Sequence, residues 1–100
     1  MSDIDDIWDM ATLRAHIDRL DERLIALLAQ RHGLIAQAAR IKQRTGLPAR
    51  IETRVEEVVA NAVHQAESRG LDPNLIETIW RQLVEAAIAQ EDRYLNGDAP

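Results

Sequence analysis

Between Leu13 and Ile41 the apolar residues recur in alternating steps of four and three: Leu13, Ile17, Leu20, Leu24, Leu27, Leu34, Ala38 and Ile41. This is a heptad seam, an apolar stripe along one face of a helix that suits packing against other helices. It is interrupted once, by a step of seven between Leu27 and Leu34, and the residue that would fill the gap is Arg31. A charge therefore stands where the pattern asks for an apolar side chain.

The chain-break signals lie outside this stretch. Gly46-Leu47-Pro48 is the first and Gly70-Leu71-Asp72-Pro73 the second. Glycine suits the left-handed residue after a helix end, and proline follows where a helix cannot continue. Asp72 followed by Pro73 reads as an N-cap with proline at the first helical position. Gly97 closes the last segment. The expected architecture is all-α, with three helices near 10–45, 52–69 and 73–96. Residues 1–9 are expected to be a flexible arm, 10–96 a single helical domain and 97–100 a tail.

A 36-residue helix at ~1.5 Å per residue is on the order of 50 Å long. A 100-residue domain has a diameter near ~35 Å. The first helix is thus too long to be wrapped by its own chain, and the remedy expected is a second copy along the same seam. The fold class predicted is an intertwined homodimer with the long first helix of each chain at its centre.

Composition narrows the function classes. Hydrophobic residues make up 46% of the chain, yet aromatics are 3% and Phe is absent, so the core must come from Leu, Ile, Val and Ala. The net charge of −5 argues against nucleic-acid binding, which needs a basic face. There is no Cys, hence no disulfide and no thiolate chemistry. The acidic start, Met1-Ser-Asp-Ile-Asp-Asp-Ile-Trp-Asp, lacks the basic opening and apolar core of a signal peptide. No run approaches the ~18 apolar residues of a membrane span. The expectation is a cytoplasmic protein with no nucleic-acid or membrane partner.

The third helix carries its own stripe, Ile76, Ile79, Trp80, Leu83, Val84, Ala87 and Ile88, and the next position on it is Glu91. The second helix carries Val55, Val58, Val59, Ala62, Val63 and Ala66, with Arg54 beside the stripe at its start. A buried charge is costly unless paired. Arg31 and Glu91 could snorkel to the surface or pair with each other. Several such breaks together point instead to a site. Arg31 and Lys42 are eleven residues apart on nearly one helix face, about 16 Å along the axis, so a small anion between them could touch both. Arg14 precedes Arg31 by 17 residues, about 25 Å, out of reach of the same ligand within one chain. In an antiparallel dimer it would complete the partner's site.

Other chemistries lack their residues. His16, His32 and His64 have no metal-ligand spacing, and Ser2 and Ser68 have no triad context. Asp18, Asp21 and Glu22 read as a solvated face with Arg19 and Arg23. No metal site is expected. What remains is electrostatic catalysis by preorganised donors, or simple binding.

The pattern Leu13-Arg14-x-x-Ile17-Asp18-x-Leu20-Asp21-x-x-Leu24-x-x-Leu27-Leu28-x-x-Arg31, continued by Ala39-x-Ile41-Lys42, resembles the first helix of the all-helical chorismate mutases. Pro48 with Arg54 resembles the start of that family's second helix, and Gly70-Leu71-Asp72 its second turn. The likeness covers roughly residues 10–95. It implies two interlocked chains with shared active sites, and the Claisen rearrangement of chorismate to prephenate, a step of aromatic amino acid biosynthesis. It implies that Arg31, with the partner's Arg14, holds the substrate carboxylates. Lys42 would bond the ether oxygen, and Arg54 would add positive field. No cofactor is implied, because the reaction is unimolecular and pericyclic.

The chain departs from that pattern at four positions. Glu91 stands where many members have a Gln that donates to the ether oxygen; a carboxylate cannot donate unless protonated. Burial disfavours its charged form, whereas a nearby Lys42 favours it. Val55 stands in place of a Glu, Ile51 in place of an Asp and Ala87 in place of a Ser. The implied substrate-binding set is Arg14, Arg31, Lys42, Ile51, Arg54, Val55, Ala87 and Glu91, with Lys42, Glu91 and Arg31 carrying catalysis. The apolar wall also resembles a related lyase that splits isochorismate into salicylate and pyruvate. An amino analogue of chorismate is a further substrate on the same fold. From another class, the heptads suit a non-catalytic helical dimerisation module, with Arg31 setting the register.

Overall fold

The computed structural model describes residues 3–97. A 3-10 turn at Asp3–Asp6 precedes α1 (Met10–Thr45), α2 (Glu52–Ser68) and α3 (Pro73–Leu95). The described residues hold helices and no strand, as the periodicity predicts. α2 and α3 each stop one residue short of the expected ends, at the cap residues Arg69 and Asn96. None of the described helices is long and apolar enough to cross a membrane. The chain divides into two units, 1–33 and 34–100, the division falling inside α1.

In the first unit, Asp9 caps α1 by accepting from the Thr12 backbone N–H at 2.8 Å. That bond holds the Asp9 carboxyl below its ordinary range. The cap is therefore complete at neutral pH and is lost as pH falls through the lowered value. Ile4, Ile7, Leu13, Ile17 and Leu20 line a groove of about 480 Å³, edged by His16, Arg19 and Arg23. The seam itself stays open: Ile17, Leu20, Leu24 and Leu27 are each about half exposed in the single chain.

In the second unit both inter-helix breaks use one device. Gly46 and Gly70 take positive φ, 74° and 72°. The following amides then reach back five residues, Leu47 to the Lys42 carbonyl at 3.0 Å and Leu71 to the Ala66 carbonyl at 2.9 Å. This is the glycine-dependent helix stop that satisfies otherwise orphaned carbonyls. The Asp72 side chain accepts from Asn74 N–H at 2.9 Å and starts α3 ahead of Pro73.

α2 and α3 pack against each other. Their shared core is Ala49, Val55, Val59, Val84 and Ile88, with Val58, Val63 and Leu95 against it. Each such branched side chain contributes roughly 1.5–3 kcal/mol on full burial. Outside the core, Arg81 of α3 grips Glu56 of α2 with two hydrogen bonds, 3.0 and 3.1 Å, and also bonds Glu77 at 3.0 Å. Both carboxylates raise the guanidinium further above its ordinary value, and Arg81 in turn lowers Glu56. The clamp is thus closed at neutral pH and loosens as acid protonates Glu56.

Candidate active site

The stripe of α3 ends on a buried carboxylate. Glu91 is 5% exposed, beside the buried Ala87 and Ile88. Ala87 lies one turn before Glu91, so the two share a face. The cation opposite Glu91 is Lys42, from the last turn of α1, with Nζ 2.6 Å from Glu91 Oε1. The same Nζ donates to the Ala49 carbonyl at 2.7 Å. Glu91 Oε1 accepts no well-angled hydrogen bond among the described residues, so its contact with Lys42 is chiefly electrostatic. An ammonium has three donors. One is used on Ala49, which leaves this cation with donor capacity for a ligand oxygen.

The break after α1 builds this arrangement. Lys42 is fastened to the loop twice: its main-chain carbonyl takes the Leu47 amide, and its side chain reaches Ala49. Ala49 is buried in the core with Val55. Ile51, half-buried, caps the start of α2 without a side-chain bond. Lys42, Glu91, Ala87, Val55 and Ile51 are therefore all set in the second unit, around a wall of aliphatic side chains.

Of the other predicted residues, Arg54 belongs to the second unit and Arg14 and Arg31 to the first. Arg54 is exposed and bonds Glu57 on its own helix. It borders a groove of about 360 Å³ lined by Val58, Ala62, Ala66, Leu71, Ile76 and Trp80, along with polar side chains. In the first unit, Arg14 is exposed and Arg31 half-buried on α1. Within the second unit Glu91 pairs with Lys42, the nearby cation named on sequence. The sequence reading missed the Ala49 carbonyl. A main-chain acceptor has no residue signature, and the only signal was a small residue following Pro48. No group of three or more His, Asp or Glu that could hold a metal forms among the described residues.

An ammonium of α1 set against a buried carboxylate of α3 agrees with the family the sequence resembles. Residues 13–92 match the chorismate mutase type II family, and the chain belongs to that family. It is 33% identical over 86 residues to the T-protein of Enterobacter agglomerans, covering 86% of this chain but 23% of that one. It is 27% identical to the chorismate mutase of Methanocaldococcus jannaschii, covering 89% of this chain and 90% of the relative. It is 29% identical to the isochorismate pyruvate lyase of Pseudomonas aeruginosa, covering 90% and 88%. The chain spans under a quarter of the length of the T-proteins it matches. No solved structure matches the chain.

Proposed function

We propose that this chain is a chorismate mutase that rearranges chorismate to prephenate within a homodimer. The observation that carries the reading is Lys42, a half-buried ammonium fixed by Ala49 and Glu91 in a chain of this family. The rearrangement breaks the ether C–O bond and forms a C–C bond in one cyclic shift of electrons. No proton is transferred overall. Negative charge grows on the ether oxygen as the bond breaks, and a preorganised donor there stabilises the transition state more than the ground state. Lys42 is that donor, and Glu91 is a second one when protonated. On the family pattern, Arg31 and the partner's Arg14 hold the two carboxylates, where bidentate guanidinium contacts fix orientation. Holding the enolpyruvyl arm over the ring removes the conformers in which the reacting carbons lie apart, so less entropy is lost on reaching the transition state. Arg54 adds positive field, and Ile51, Val55 and Ala87 form the apolar wall.

The exposed seam of α1 supports the dimer. Ile17, Leu20, Leu24, Leu27 and Leu34 are between 48% and 71% exposed in the single chain. A contiguous apolar stripe of this kind marks an association surface, here for a second copy.

The second reading is the lyase, favoured by the buried Val55 and Ala87 where a polar wall would grip a ring hydroxyl. Supplying chorismate and isochorismate separately decides between them. Prephenate from chorismate is the expected product, and salicylate with pyruvate from isochorismate would transfer the assignment to the lyase. A bicyclic dicarboxylate resembling the transition state should raise the melting temperature, by about 2.7 kcal/mol of added stability at a hundred times its Kd. Absence of any shift at saturating analogue speaks against both enzymes.

Arg31→Leu separates an enzyme from a dimerisation module. It should remove most activity while leaving the dimer intact, measured by turnover and by sedimentation. A more stable dimer with no activity in the parent would favour the module, in which Arg31 merely sets register.

A further inference from the structure

The carbonyl that holds Lys42 belongs to the peptide bond between Ala49 and Arg50, and the Arg50 side chain is itself anchored. Its Nη2 lies 2.5 Å from Glu85 Oε1 on α3, and its Nη1 is 3.8 Å from Glu52. We propose that the Arg50–Glu85 ion pair is a positioning device for the reaction: it pins the loop after α1 onto α3 and so aims the Ala49 carbonyl at Lys42. This rests on the mutase reading for its effect on rate, though not for its effect on Lys42.

The geometry makes a chain of three links. Glu85 holds the Arg50 guanidinium, the Arg50 main chain orients the preceding peptide, and that peptide's oxygen takes the Lys42 ammonium at 2.7 Å. The Glu85 carboxyl is held below its ordinary value by Arg50, so the pair is closed at neutral pH. The two side chains are 45% and 58% exposed. Pairs this open contribute little to folding stability. A purely structural role therefore predicts almost no effect of breaking it. A positioning role predicts a rate effect without a stability effect, because small misplacements of a catalytic group cost rate steeply. Arg50 and Glu85 touch no substrate in this scheme and act only through Lys42.

The test uses the full chain with Arg50→Met, Glu85→Gln and the conservative Arg50→Lys. Arg50→Met and Glu85→Gln should each lower kcat on chorismate roughly tenfold with KM changed less than twofold. Arg50→Lys should retain most of kcat, since one cationic contact suffices here. Melting temperatures should move by no more than a few degrees. A substrate-free readout accompanies these: the Lys42 ammonium resonance in nitrogen-detected NMR, identified by its loss in Lys42→Arg. It should be protected from solvent exchange in the parent and in Arg50→Lys, and unprotected in Arg50→Met and Glu85→Gln. Unchanged protection in the last two overturns the proposal. So does unchanged kcat in those two variants of a parent that turns over chorismate. If the parent forms no prephenate, the functional reading fails, and the Lys42 resonance alone decides whether the pair positions the lysine.

Discussion

Replacing Lys42 with methionine should lower kcat on chorismate by on the order of 10²–10³-fold, the cost of removing a single preorganised donor from a developing oxyanion. Lys42 makes its contacts at 2.6 Å to Glu91 and 2.7 Å to Ala49, so its ammonium is already in place before the bond breaks. Methionine keeps the unbranched stem and removes only the charge and the donors. The substitution has a second consequence. Glu91 is left buried without its counter-charge, and breaking a buried pair from one side costs about 3 kcal/mol or more. Urea unfolding should show this loss. The double variant Lys42→Met/Glu91→Gln should recover most of the stability, because no uncompensated charge remains, while staying as inactive as the single variant. A single variant that unfolds like the parent but keeps more than a tenth of its rate would show that Lys42 is not the donor.

Glu91→Gln is expected to act in the opposite direction. An ionised carboxylate repels the charge growing on the ether oxygen and cannot donate to it, whereas a protonated one can. Activity of the parent should therefore rise as the pH is lowered. Glutamine donates at every pH. The variant should show a flat profile between about pH 5 and 8, with its largest gain over the parent at the alkaline end of that range. The comparison is made on kcat/KM across that range with prephenate as the measured product. A parent profile that is already flat would remove Glu91 from the chemistry.

The helices were legible because their boundaries are local. Gly46, Gly70 and the Asp72-Pro73 pair act on their own turns, and each stands where a helix stops or starts. Burial of Glu91 was legible as well, because a carboxylate in register with Val84, Ala87 and Ile88 must share their surroundings. The partner of Glu91 was not. Arg31 and Lys42 lie on nearly one face of α1, and spacing along a helix does not say which of them meets a residue some fifty positions later. The Asp9 cap carried a local signal, an aspartate just ahead of the first helical turn, but it was hidden in an acidic run. The Arg50–Glu85 contact joins residues 35 apart through a loop with no periodicity, so no pattern could announce it.

The Lys42–Glu91 contact also bears on which ions the site ignores. A lysine facing solvent alone is open to any passing anion, though each such contact is weak. Here the ammonium already has a carboxyl neighbour 2.6 Å away on the same chain, and a simple ion must compete with it. A guest does better only if it offers an oxygen placed to take the donor capacity that Ala49 and Glu91 leave over. The pair thus works as a filter, indifferent to common salts and responsive to shape, and inhibition by phosphate should be weak even at concentrations well above those of the substrate.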